Sequence, residues 1–120
     1  MLWLLAGAYA LVLFTCTHLP PAHLPNTHVP DKIEHFGAYA ILGALLAIAA
    51  KNSGWRRATL AVIVLGVVAG AVDEWTQPLV GRFCELNDWL SDAAGVIVAA
   101  CLVALLLPAR RSEPIGLSDS

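Results

Sequence analysis

Four apolar runs separated by short polar segments constrain the fold of this chain more than any other feature. The first run, Met1 to Thr17, contains no charged residue. A helix that spans a bilayer needs roughly 17–25 apolar residues. Only 13% of the 120 residues are charged and 58% are hydrophobic, whereas soluble domains carry about 25% charge. The chain has too few polar residues to cover a soluble domain, so we expect lipid to solvate much of its surface.

The polar segments between the runs set the predicted ends of the helices. Four prolines within residues 18–30 predict an extended loop, because proline lacks a backbone donor and breaks helices. Asp31 is the predicted N-cap of the next helix, with Glu34 as its capping-box partner. The predicted fold is one all-α, polytopic membrane domain at residues 1–108, followed by a polar cytoplasmic tail at 109–120. Its four helices are predicted at residues 1–17, 32–50, 58–75 and 89–107.

Basic residues predict the orientation of this four-helix bundle. Lys51, Arg56 and Arg57 lie in one short loop, and Arg110 and Arg111 follow the fourth run. With four spans these two places fall on the same side of the membrane, which the positive-inside rule assigns to the cytoplasm. We therefore expect both termini to be cytoplasmic and the loop between the first two helices to be outside.

Ionisable residues gather at the predicted outer ends of the helices. Asp31, His35 and Tyr39 recur every four residues and share one face of the second helix, as Asp88 and Asp92 do on the fourth. A bare charge costs roughly 2.5–3.5 kcal/mol at mid-bilayer and less toward the surface, so we expect these side chains to face the bundle interior and pair with one another. The predicted ligand-binding residues of this pocket are Asp31, Lys32, Tyr39, Asp73, Glu74, Gln77 and Arg82.

Three residues of the predicted pocket are candidates for catalysis. His35 is the predicted general base, and Asp88 or Asp92 would orient it or hold a metal. Arg82 would bind an anionic group and is the expected partner of Asp88. The alternative is a structural clasp that fixes the register of the helices and does no chemistry. The sequence identifies no cofactor and does not decide whether a metal is bound.

The glycines, cysteines and net charge bear on partners. Gly66 and Gly70 form a G-x-x-x-G spacing, which permits close helix contact in lipid, so a homodimer through this face is one hypothesis. Cys16, Cys84 and Cys101 lack metal-binding spacing, and the sequence leaves open whether the first two form a disulfide. The formal net charge is −2 and no cluster of Lys and Arg is present, so we expect no nucleic-acid partner.

Two motifs in the polar segments resemble those of the VanZ-like family of membrane proteins. Asp31-Lys32-x-x-His35 is similar to the D-K-x-x-H signature that opens the second helix of that family. The second motif is similar to the family pattern D-E-x-x-Q…G-R-x(5)-D-x(3)-N-x-x-G, and its residues here are Asp73, Glu74, Gln77, Gly81, Arg82, Asp88, Asp92 and Gly95. Asp92 stands where the family usually has Asn, and the resemblance covers residues 1–108.

The resemblance implies a small four-helix protein of the bacterial cytoplasmic membrane. The namesake of the family is associated with resistance to the glycopeptide teicoplanin. The implied function is therefore to bind or shield an envelope lipid, a cell-wall precursor or a glycopeptide at the outer face. Two alternatives stay open: a small membrane enzyme acting on a lipid headgroup or lipid-linked sugar, and a dimeric small-molecule transporter. No residue stands in a nucleophile motif, which favours binding.

Overall fold

The computed structural model describes residues 1–108, and within them the chain is helical with no strand. The prediction of an all-α fold is therefore confirmed. The predicted tail at 109–120, with Arg110 and Arg111, lies outside the described residues. The four helices are α1 (Leu2–Thr17), α2 (Asp31–Asn52), α3 (Ala58–Thr76) and α4 (Leu86–Leu106), with short 3-10 turns at Pro21–His23 and Gln77–Val80.

The ends of these helices are close to the predicted ones, with two differences. Helix α4 begins at Leu86, three residues earlier than predicted, and Asp88 lies in its first turn, where a carboxylate interacts favourably with the helix dipole. The predicted capping box at the start of α2 is wrong. Asp31 is already helical, Pro30 occupies the N-cap position without a side-chain hydrogen bond, and Glu34 accepts a hydrogen bond from Thr27 instead. The carboxylate of Asp31 is thereby left free to face its neighbours.

Helices α2 and α4 and the α3 segment through Val80 are each long and apolar enough to cross a membrane. Helix α1 has 16 residues, about 24 Å at 1.5 Å per residue. Even so, it runs antiparallel to α2 along the bundle. At one end the indole of Trp3 donates to Ser53 Oγ at 2.8 Å, and at the other the hydroxyl of Thr17 donates to Asp73 Oδ1 at 2.7 Å. The described fold is that of a helical membrane protein.

Helices α2 and α4 run parallel to each other and pack with almost no side chain between them where they cross. A Cβ built on Gly43 would lie 2.9 Å from the Cα of Val96, and one built on Gly95 would overlap the backbone of Phe36 and Ala40. Neither glycine can carry a side chain without separating the helices. This close approach brings the first turns of α2 and α4, and their polar residues, into contact.

Helix α3 packs on the other side of α4 through its own two glycines. A Cβ on Gly66 would meet the methyl groups of Val96 at 2.5 and 2.7 Å, and one on Gly70 would lie 3.1 Å from the Cβ of Asp92. Both glycines are buried. The face that the sequence suggested for a homodimer is therefore occupied by α4 of the same chain, and we do not assign it to a second copy.

The outer surface of the bundle is apolar. Leu65, Val68 and Val72 on α3, and Leu102 and Leu105 on α4, are each at least 46% exposed. Contiguous exposed apolar faces of this kind mark contact with a membrane or a partner. The three cysteines are free and exposed, so Cys101 lies on this surface and not in the core, and no disulfide joins Cys16 to Cys84.

Candidate functional site

The polar end of the bundle, formed by the start of α2, the end of α3 and the start of α4, contains a buried polar cluster. The sequence places these groups just beyond the apolar runs, and the parallel arrangement of α2 and α4 brings them to the same level. The buried polar residues of the described chain are His35, Asp73, Glu74, Gln77, Asp88 and Asp92. All six were predicted as site residues. The convergence expected from helical spacing is therefore what the structure has.

His35 lies at the centre of this polar end. Its Nδ1 is 2.8 Å from Oδ1 of Asp92, which is fully buried. Because a carboxylate only accepts hydrogen bonds, the hydrogen lies on Nδ1 of His35. The other ring nitrogen, Nε2, faces Asp31 Oδ1 at 3.9 Å and Asp88 Oδ2 at 4.0 Å. The imidazole is thus fixed on one side by a carboxylate and presented on the other side to two more.

The two cations of the polar end have different surroundings from those expected. Lys32 lies 3.2 Å from Asp88 Oδ1 and 3.5 Å from Glu85, so Lys32, and not Arg82, is the partner of Asp88. Lys32 can reach Asp88 because it lies on α2, which packs directly against α4. Arg82 follows Gly81, which has a left-handed φ of 78°, and the guanidinium of Arg82 donates to the carbonyl of Leu19 at 3.3 Å. Within residues 1–108, Arg82 forms no ion pair with a carboxylate.

Asp73 joins the end of α3 to the end of α1. Its Oδ1 accepts from Thr17 at 2.7 Å and lies 3.5 Å from Nδ1 of His18, while Nε2 of His18 lies 2.9 Å from the hydroxyl of Thr76. Thr17 and His18 were not among the residues predicted for the site. Their position at the end of the first apolar run was the available signal. In an antiparallel arrangement the end of α1 lies at the same level as the start of α2 and the end of α3.

Glu74 and Gln77 hold the segment that leads into α4. Gln77 donates to Glu74 Oε1 at 3.0 Å, and the backbone N–H of Glu85 donates to Glu74 Oε2 at 2.9 Å. Both carboxylate oxygens of Glu74 are therefore engaged within the protein. This pair positions the first turn of α4, and with it Asp88.

A cavity of about 290 Å³ opens beside His35, between α1, α2 and the loop that joins them. Leu13, Leu24 and Ala38 contribute apolar walls. The polar residues that line it include Asp31, His35, Tyr39 and Arg82. Tyr39 is 3% exposed. The cavity thus joins an apolar space to a charged one, which matches a ligand with an apolar chain and a polar head.

Two groups of side chains have the composition and spacing of metal ligands. One is Asp31, His35 and Asp88, and the other is His35, Glu74 and Asp92; in each group one ligand atom per residue lies within 4.8 Å of the others. Two buried carboxylate oxygens, Oδ2 of Asp73 and Oδ2 of Asp92, have no hydrogen-bond partner among the described residues. The site has more acceptors than donors.

A model of a known protein family matches most of the chain. The model of the family described as VanZ/LLP1 matches residues 4–107, which include all four helices almost completely and every residue of the polar end. No curated protein and no solved structure matches the chain.

Proposed function

The chain belongs to the VanZ/LLP1 family, and we propose that it binds an envelope lipid with a phosphate headgroup in the cavity between α1 and α2. The observation that carries this proposal is Arg82. It lines the cavity and, among residues 1–108, donates only to a backbone carbonyl, although the polar end is rich in carboxylates. A guanidinium is well suited to bind a phosphate through two parallel hydrogen bonds.

The walls of the cavity support a lipid more than a polar ligand. Leu13 and Leu24 face the same space as Arg82 and His35. At about 290 Å³ the cavity lies at the lower limit for small-molecule sites. It would take the headgroup and the first part of an acyl or isoprenyl chain, and the rest of the chain would lie along the apolar outer surface of the bundle. A lipid-linked cell-wall precursor has this chemistry, and binding it would alter the response to a glycopeptide such as teicoplanin.

Lipids that remain bound during purification in detergent test this proposal. Full-length wild type should retain phosphate-headgroup lipid, detected by mass spectrometry of the extracted sample. Arg82→Gln should lose about tenfold or more of it, because a hydrogen bond to a charged group contributes about 1.5–3 kcal/mol. Arg56→Gln removes a cation from the opposite end of the bundle and should retain the wild-type amount. Equal retention by all three proteins, or retention only of lipid that has no phosphate in its headgroup, would contradict the proposal.

We further propose that the cavity opens to the outside of the bacterial cytoplasmic membrane and that both termini are cytoplasmic. The support is the separation of charge along the bundle. Lys51, Arg56 and Arg57 lie at the end opposite His35, and cytoplasmic loops are enriched in Lys and Arg. Helix α1 reaches from Ser53 to Asp73, which supports a fourth crossing and an even number of spans between the two ends of the described chain.

Cysteine labelling in intact cells tests this orientation. The exposed native cysteines are first replaced by serine, and single cysteines are then introduced at Asn26 and at Asn52. A membrane-impermeant reagent should modify position 26 and leave position 52 unmodified until the cells are opened. Modification of position 52 alone would reverse the orientation and place the cavity on the cytoplasmic face.

A second candidate function is favoured by the geometry of His35. An imidazole whose Nδ1–H is held by a buried carboxylate, here Asp92, presents Nε2 as a general base. The cavity beside it would then hold a lipid headgroup or a lipid-linked sugar as substrate. His35→Gln should abolish turnover of such a lipid and keep its binding, whereas loss of binding alone would favour the first function. The transporter hypothesis has no such support, since the glycine face expected for the dimer packs against α4.

A further inference from the structure

Three groups with free electron pairs face one point at the polar end of the bundle. Nδ1 of His35 donates to Oδ1 of Asp92 at 2.8 Å, so in the neutral imidazole the ring lone pair is on Nε2. Asp31 Oδ1 and Asp88 Oδ2 lie 3.9 and 4.0 Å from that nitrogen. Among the described residues no donor lies within hydrogen-bond distance of Nε2. Two carboxylates beside the lone pair of a neutral imidazole favour a cation between the three groups.

We propose that Asp31, His35 and Asp88 bind a divalent metal ion of the zinc type, and that Asp92 orients the imidazole for this purpose. Asp31 and His35 also line the cavity, but the ion would bind through these side chains and Asp88 whether or not a lipid is present. Nitrogen from imidazole and oxygen from carboxylates are common ligands of Zn²⁺. A histidine that binds a metal through one nitrogen usually donates its other N–H to a carboxylate, as His35 does to Asp92.

The distances fit this ion after a small adjustment. Zn²⁺ binds such ligands at about 2.0–2.2 Å, which at tetrahedral angles separates the ligand atoms by roughly 3.4 Å. The carboxylates of Asp31 and Asp88 must therefore approach Nε2 by about half an ångström. The side chain of Asp31 is 57% exposed in the first turn of α2 and is free to move. The fourth position would be open to water or to a group from the cavity.

The burial and charge of the neighbours support a cation at this point. The side chains of His35 and Asp88 are each 7% exposed, and Asp92 is fully buried with Oδ2 unpartnered. Buried carboxylates are unfavourable unless they are paired or bind a metal. Among the Lys and Arg side chains of residues 1–108, Lys32 alone contacts one of these two carboxylates. It lies beside Oδ1 of Asp88, which leaves Oδ2 of Asp88 for the proposed ion.

The other group of candidate ligands does not fit as well. In the group formed by His35, Glu74 and Asp92, both oxygens of Glu74 already accept hydrogen bonds. Nδ1 of His35 and Oδ1 of Asp92 are joined by a hydrogen bond. A metal bound there by one oxygen of Glu74 and by Nδ1 of His35 would compete with two of these hydrogen bonds, whereas the site on Nε2 breaks none.

Calorimetric titration of full-length, chelator-treated protein in detergent with Zn²⁺ tests the proposal. Wild type should bind one ion per chain. Asp31→Asn and Asp88→Asn should each weaken Zn²⁺ binding by more than the roughly 10–100-fold loss expected when the partner of a ligand is removed, as in Asp92→Asn. Glu85→Gln is the matched control, because Glu85 contacts Lys32 in the same acidic patch and is not a proposed ligand. It should bind Zn²⁺ like wild type.

Asp31→Asn decides the test because its exposed side chain makes little contribution to folding, unlike the buried His35. Thermal unfolding provides the second measurement, since an ion that binds only the folded state raises the melting temperature. Zn²⁺ should raise it in wild type and Glu85→Gln, and not in Asp31→Asn. Three results would overturn the proposal: no stoichiometric binding, equal weakening by Glu85→Gln and Asp31→Asn, or Ca²⁺ binding as tight as Zn²⁺, which would indicate carboxylates acting without the imidazole.

Discussion

The two ends of the α2–α4 pair are held together in different ways. At one end Lys51 of α2 donates to the backbone carbonyls of Val103 and Ala104, each at 3.3 Å, and of Leu107. These are carbonyls that the end of a helix leaves without an intrahelical donor. At the polar end His35 and Lys32 meet an excess of carboxylates. Donors and acceptors match at the first end, and acceptors outnumber donors at the second.

This difference indicates that the polar end does more than hold α2 and α4 together. The pair is already fixed in the middle by the close backbone contact at Gly43 and Gly95. A single lysine suffices to close the opposite end. Stability alone would have been served by a similar arrangement at both ends, since buried charges contribute little net stability and are costly when unpaired. The unmatched acceptors of the polar end therefore support a role in binding a cation or a ligand.

The largest expected effect comes from the close contact that both ends share. Gly95→Leu should prevent folding, because even a Cβ at this position overlaps the backbone of Phe36 and Ala40, and backbone atoms of a packed helix cannot rotate away. Gly37→Leu is the matched control on α2, where a Cβ meets nothing within 4 Å. We expect no monodisperse Gly95→Leu protein in detergent and a normal yield of Gly37→Leu. Similar yields would show that the two helices are not in close contact.

The second prediction concerns the end where donors and acceptors match. Lys51→Met should lower the free energy of unfolding by about 1–2 kcal/mol, because it leaves the last carbonyls of α4 without a charged donor. Arg56→Met removes an exposed cation of the same loop and should cost less than about 0.5 kcal/mol. Thermal or chemical unfolding in detergent measures both. Equal stability of the two variants would remove the contrast between the ends of the pair.

The sequence predicts the fold well because the signals involved are local. Apolar runs of membrane-spanning length, separated by segments with proline and glycine, specify where the helices lie. The four-residue spacing of His35 and Tyr39 specifies that these two side chains share a helix face. Family membership, inferred from the two motifs, is confirmed. The contact of Gly43 with Val96 was not predictable, because it depends on where two helices cross.

The partners of the charged residues were harder to predict than their location. Lys32 and Arg82 carry the same charge and both lie near the polar end, so the sequence does not distinguish which of them contacts Asp88. The register of α2 against α4 brings Lys32, and not Arg82, into contact with Asp88. Likewise, the contact of Thr17 with Asp73 depends on α1 reaching the same level as the end of α3. Such choices are set by packing across the bundle and not by spacing along the chain.

The third prediction separates a ligand site from a structural clasp at the polar end. Asp88→Asn should lower stability by less than about 1 kcal/mol, because its partner Lys32 is half exposed and can be solvated when the charge of Asp88 is removed. The same substitution should abolish ligand or metal binding. A clasp predicts a different result, a loss of roughly 3–5 kcal/mol from a broken buried pair. Unfolding of Asp88→Asn, Lys32→Gln and the double variant distinguishes the two cases.

The smallest effect on stability is expected for Asp92→Asn, which replaces the buried partner of His35 by the residue usual in the family. The amide oxygen of asparagine can still accept from Nδ1 of His35, as Asp92 Oδ1 does at 2.8 Å. The unpartnered, buried Oδ2 is replaced by a neutral NH₂ group, so the change in the free energy of unfolding should lie within about 1 kcal/mol of zero. Metal affinity should still fall, since a neutral amide supports the imidazole as a ligand less well than a carboxylate does.

Asp92→Ala is the comparison that makes this result informative. Alanine leaves the Nδ1–H of His35 without an acceptor in a buried site, which should cost about 1–3 kcal/mol. If Asp92→Asn is as destabilising as Asp92→Ala, then the negative charge of Asp92, and not its hydrogen bond, holds the polar end together. In that case His35 is itself the cation among these carboxylates, the excess of acceptors disappears, and the two ends of the α2–α4 pair are balanced in the same way.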